Sequence, residues 1–177
     1  KRSDIFRDVN VTERNVKEFS RNGTLSRYKV VHFATHGLIV PEVPELSAVV
    51  LSQFKDNTGK EDGYLRMGEI AELDIRADFV NLSACETGLG KIYGGEGVVG
   101  LTQSFILAGA NAVSVSLWSV ADKSTSLFMV ATNNMVHNYN LSYADAMTEV
   151  KRQFIKGEFG ETYKKPYYWA PFVYYGN

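Results

Sequence analysis

Tyr28-Lys29-Val30-Val31-His32-Phe33-Ala34, broken off at Thr35-His36-Gly37, is the stretch that decides the fold. Its β-branched, aromatic and apolar residues give it the near-continuous hydrophobicity of a strand covered on both faces. A second run of the same kind, Phe79-Val80-Asn81-Leu82-Ser83-Ala84, stops at Cys85. Working outward, further strands are expected at 48–51 and 112–118. The aromatic tail, 167–175, reads as a short edge strand that closes the core. Helical patterns fill the spaces between: 12–22 with Thr12 as N-cap, 67–73, 98–108, 124–139 with Ser124 as cap, and 145–154. Strands alternating with helices predict an α/β domain, a mostly parallel sheet with helices on both faces. In such sheets function gathers at the carboxyl ends of the strands, where His36 and Cys85 stand.

The 177 residues suit one domain, and a chain of this size buries about 70% of its unfolded surface, enough for a full core. Hydrophobic residues make up 45% and charged residues 22%, which excludes long disorder and coiled coil. A formal net charge of −1 gives no sign of a nucleic-acid or membrane-surface partner. No apolar run is long enough to span a bilayer. The single cysteine can form no internal disulfide or zinc ribbon, and it points to a reducing compartment. The chain opens Lys1-Arg2-Ser3-Asp4 without an initiator Met or a signal-peptide pattern. It is read as one domain over 1–177, with 1–24 as a lead-in from a longer parent chain. The polar stretch 53–63 and the glycine-rich connection 86–97 read as loops that a partner orders.

Two strand-end loops on one edge of a parallel sheet can face each other. Imidazole beside a thiol supplies the base or the positive neighbour that makes a nucleophile at neutral pH. Gly37 allows close approach to a substrate carbonyl, and the backbone N–H groups of Gly37 and Cys85 can form an oxyanion hole. The alternative is an inert cysteine near an unrelated histidine. His32 and His36 are four apart, a zinc spacing on a helix but not on a strand, so no metal is expected and His32 reads as a satisfied core residue that positions the loop. His137 reads as solvated. Gly95-Glu96-Gly97-Val98-Val99-Gly100 matches a dinucleotide fingerprint literally, but no strand directly precedes it, so no cofactor is expected. Asp122 can select a basic group on a substrate, or it can be an ordinary first-turn helix acid.

His32-Phe33-Ala34-Thr35-His36-Gly37 and Leu82-Ser83-Ala84-Cys85-Glu86-Thr87-Gly88 resemble the two signature blocks of the CHAT family. These are caspase-like cysteine peptidase domains, often joined to tetratricopeptide repeats. The likeness continues through Gly95-Glu96-Gly97, 105–110 and 117–122 to Tyr168-Trp169-Ala170-Pro171-Phe172, and so covers about 25–176. It implies a caspase–hemoglobinase fold with a sheet of about six strands, and His36 and Cys85 as catalytic dyad. His36 precedes Cys85 by 49 residues, close to the spacing of about 50 in caspases. Glu86 stands where caspases carry a positive residue, so their preference for acidic P1 side chains does not transfer. Trp118-Ser119-Val120-Ala121-Asp122 is similar to a separase segment whose last aspartate lines an arginine pocket, although Ser119 departs from it. That likeness implies Asp122 as the S1 acid and a basic P1.

The expected activity is thus cysteine endopeptidase hydrolysis of protein substrates through an acyl-enzyme. The substrate is expected to lie extended along Ser116, Trp118 and Ser119. The alternative is a CHAT fold that has lost activity and serves as a regulatory scaffold. Regulation by an upstream tetratricopeptide or sensor region, or by a partner, and a bacterial, cytoplasmic setting suit the family.

Overall fold

The computed structural model describes residues 3–40, 42–53, 61–83, 85–86 and 96–176, and of residues 85, 86, 96 and 97 the backbone. Its principal sheet has the order β1-β5-β7-β8, with β1 Val30–Phe33, β5 Phe79–Leu82, β7 Ala112–Ser116 and β8 Phe172–Gly176. The first three are parallel, and β8 runs antiparallel to β7 along the edge, as the aromatic tail suggested. The sheet therefore has four strands among the described residues, not six. The chain breaks after Phe33 and after Leu82, and the continuations join a second sheet. Its order is β4-β3-β2-β6, with β2 Gly37–Leu38, β3 Ala48–Val50, β4 Tyr64–Arg66 and β6 Cys85–Glu86.

Strand alternation sorts the core into two layers. Val31, Phe33, Val80, Leu82, Val113 and Val115 face one side. They pack there on α1 Glu13–Arg21, α2 Met67–Ala71 and α3 Glu96–Leu107 through Phe19, Ile70, Leu101 and Phe105. Phe79, Ala112 and Phe172 face the other side. They meet α4 Asp122–Tyr139 and α5 Tyr143–Lys156 through Phe128, Met129, Val150 and Phe154. Phe128 stacks on Phe172 with ring centroids 4.3 Å apart. Helices therefore cover both faces, as a largely parallel sheet requires.

The caps explain most boundaries. Thr12 accepts from the Asn15 N–H at 3.2 Å and starts α1, as its sequence indicates. Ser142 does the same for α5 from Asp145. Ser124 does not cap α4. Its hydroxyl donates backward to the Ala121 carbonyl at 2.8 Å, and the helix starts two residues earlier, at Asp122. Away from the sheet, Lys17 Nζ bonds Glu13, Glu61 and Glu69 at 2.6, 2.8 and 2.7 Å and ties α1 to α2. Most of the loop 53–63 and of the glycine-rich connection 86–97 lies outside the described residues, so the expectation that a partner orders them is not addressed.

Candidate active site

The strand ends are fastened residue by residue. The Thr35 hydroxyl donates to the Val50 carbonyl, and the Val50 N–H donates to the His36 carbonyl at 2.8 Å. His36 is thereby held against β3. Alternation along β2 then turns the N–H and C=O of Gly37 to the opposite side, toward β6. On the neighbouring strand the Ser83 N–H donates to the Phe33 carbonyl at 3.2 Å, which carries the β1–β5 ladder one step further. β6 begins at Cys85 and pairs in parallel with β2, Gly37 opposite Cys85 and Leu38 opposite Glu86. The residue after His36 is thus the register neighbour of the cysteine.

His36 is exposed on the wall of a cavity of about 670 Å³ that also carries His32, Ser83, Ser119, Asp122 and Asn133. Asp122 is the first residue of α4, where a carboxylate suits the helix dipole, and it also lines the cavity. The first-turn reading of this side chain is the one the helix shows. Ser119 lines the cavity and its carbonyl accepts from the Tyr167 hydroxyl at 3.0 Å. Ser116 and Trp118 lie elsewhere. Ser116 is buried and paired with Phe172 of β8, and the Leu117 N–H is taken by the Pro171 carbonyl at 3.0 Å. Trp118 Nε1 donates to the Tyr167 carbonyl at 3.1 Å. A substrate strand therefore finds no open edge at Ser116, because β8 already occupies it.

His32 is not the core residue that its apolar neighbours suggested. It is exposed into the cavity, with Nε2 2.8 Å from the Ser83 hydroxyl. The surrounding protein desolvates the ring and lowers its pKa, which favours neutral imidazole. Sequence reasoning missed the His32–Ser83 link. Both residues have the alternation phase that faces α4, but a phase alone does not tell that two side chains meet. A second cavity, about 750 Å³, lies between the N-terminal segment, α1 and β1, lined largely by apolar residues such as Phe6, Phe19 and Leu25. His32 and Thr35 line it as well, so both cavities border the carboxyl end of β1.

A family model described as the CHAT domain matches residues 1–177, the entire chain. The chain belongs to the CHAT-domain family. No curated protein matches it. CHAT domains are related to caspase-like cysteine peptidases, and the α/β architecture of this CHAT domain is consistent with that relation. Among the described residues of the CHAT domain, no helix is long and apolar enough to cross a membrane.

Proposed function

We propose that this CHAT domain is a cysteine endopeptidase with Cys85 and His36 as its dyad. The observation that carries the reading is the parallel register of Gly37 with Cys85. It brings the residue after His36 alongside the backbone of Cys85, the one cysteine of the chain. In this reading the Cys85 thiolate attacks the scissile carbonyl and the Cys85 N–H receives the oxyanion; the Gly37 N–H, also expected there, is turned toward the ladder with β6 instead. As the C–N bond breaks, His36 gives its proton to the leaving amine. His36 then takes a proton from water, whose hydroxide hydrolyses the thioester and frees the new carboxylate. The thiol returns to its starting state.

Asp122 on the cavity wall supports a basic P1 side chain, with Ser119 beside it. Ser116 and Trp118 act behind this wall, holding it through β8 and Tyr167. The enzyme works in the cytoplasm and is held in check by an attached repeat or sensor region, or by a partner.

The test is a proteome-derived peptide library, cut by the protein or by its Cys85→Ala variant and read as new termini by mass spectrometry. Cys85-dependent cuts after Lys or Arg are expected. Cuts after other residues would keep the peptidase and discard Asp122 as S1 acid. No Cys85-dependent cuts, together with a thiol that reacts like free cysteine, would make the domain a silent scaffold.

A further inference from the structure

The sheet face toward α4 and α5 changes character in steps of two residues. Phe79 and Ala112 are apolar and packed in the core. The next row is polar, with His32, Asn81 and Ser114 as register neighbours across three parallel strands. Ser83 and Ser116 follow at the carboxyl ends. This row costs stability. The Asn81 carboxamide is 2% exposed and the Ser114 hydroxyl is fully buried, and neither finds a hydrogen-bond partner among the described residues. Each such orphan gives up its hydrogen bonds to water and gets none back in return. Positions that break the packing rules in this way mark function more often than folding.

The row ends in a linked knot. His32 Nε2 meets the Ser83 hydroxyl at 2.8 Å, the Ser116 hydroxyl donates to the Ser83 carbonyl at 3.3 Å, and the Ser83 N–H donates to the Phe33 carbonyl. Three strands are thus tied at Ser83, two residues before Cys85, by a histidine four residues before His36.

Building on the dyad reading, we propose that His32 is a positioning residue: through Ser83 it locks the two strand ends that present His36 and Cys85. The ring takes no proton in the reaction. Its lowered pKa fits this role, since a neutral imidazole adds no charge of its own beside the dyad. Among the described residues, the other titratable groups on this cavity wall are His36 and Asp122 of α4, and the second cavity, which His32 also lines, carries Asp4, Arg7, Asp8 and Tyr28.

The test uses the 177-residue chain, in which Cys85 is the only cysteine, so alkylation by iodoacetamide reports on that thiol alone. The rate is measured from pH 5 to 10, with a thermal melt as control for folding. The parent is expected to show a thiolate pKa below the value of about 8.5 for free cysteine. His32→Leu and Ser83→Ala should each slow alkylation at pH 7 by about tenfold and move the profile upward, because small misplacements of a dyad are costly. His32→Gln keeps an amide donor for the Ser83 hydroxyl and should recover most of the rate. A merely structural histidine would lower the melting temperature and leave the profile where it is. Profiles of His32→Leu and Ser83→Ala that superpose on a fast parent would overturn the positioning role alone. A parent thiol that reacts like free cysteine would overturn the dyad reading and this inference with it. Should His32→Leu fail to fold, Ser83→Ala, which removes a single oxygen, decides the matter.

Discussion

Gly37 and Cys85 are Cα partners in a parallel pair, two residues long, between β2 and β6. Parallel neighbours lie about 4.8 Å apart. A separation of 49 residues in sequence between His36 and Cys85 is thereby closed to an offset of one residue in the register of two paired strands. β3 backs the pair from the other side through the bonds of Val50 to Thr35 and His36.

Removing either half of the proposed dyad should have unequal effects. Cys85→Ala should bring peptide cleavage to background, because no other thiol exists to form the acyl-enzyme. His36→Ala should lower kcat by about 10²–10⁴, the usual worth of a general acid–base. Asp122→Asn should cut the preference for Arg over Leu at P1 by about tenfold or more, measured as the ratio of kcat/KM for two peptides. A ratio that does not change removes Asp122 from the pocket.

The cluster around Lys17 makes stability depend on pH. Burial first, then the bond to Glu61, pushes the Glu13 pKa up from 4.5 to about 7, against the pull of Lys17 and the Gly63 N–H. The folded chain thus binds more protons than the unfolded one between pH 4.5 and 7, so this group's contribution to stability falls as pH rises through that window. Glu69 goes the other way. Its burial is outweighed by the bond from Lys17, so its pKa is lowered and its contribution is lost as acid protonates it. Glu13→Gln removes the first effect. From pH 5 to 7.5 the parent should lose stability relative to this variant, by up to about 3 kcal/mol. Melts at the two pH values in which the parent gains on the variant would contradict this.

Two glycines should respond oppositely to alanine. Gly109 has φ +100°, and an added Cβ would sit 3.2 Å from the Arg76 backbone nitrogen. Gly109→Ala should cost about 1–3 kcal/mol. Gly68 lies within α2, and a Cβ there meets nothing within 4 Å. Gly68→Ala should stabilise by about 0.5–1 kcal/mol through helix propensity and a less free unfolded chain. Urea titrations of both variants read the two signs directly.

Ser114→Ala should leave stability unchanged or raise it by about 1 kcal/mol, since it removes a buried hydroxyl with no partner among the described residues. A loss of more than 1 kcal/mol in urea would mean that the hydroxyl has a partner, such as an ordered water.

Much of the fold could be read along the chain because its signals are local. Thr12 is followed three residues later by the Asn15 N–H it caps, and the strands at Val30 and Phe79 declare themselves by composition. Local signals also misled. Ser124 has the residue type of a cap, yet its hydroxyl turns back to Ala121 and frees the helix to begin at Asp122. β2 and β6, with two residues each, are too short for any periodicity to show.

Period and composition act within one element, so they already specify the α/β class, the helices on both faces, and the placing of His36 and Cys85 just beyond β1 and β5, each three residues past the last one. The remaining features arise from contacts across the chain. The four-stranded order, the crossing into a second sheet and the β8 cover over Ser116 depend on pairing between segments far apart in the chain. The same holds for the bond between His32 and Ser83, 51 residues apart, which no local pattern encodes. Register is a relation between strands, and a residue acquires it only when the sheet has formed.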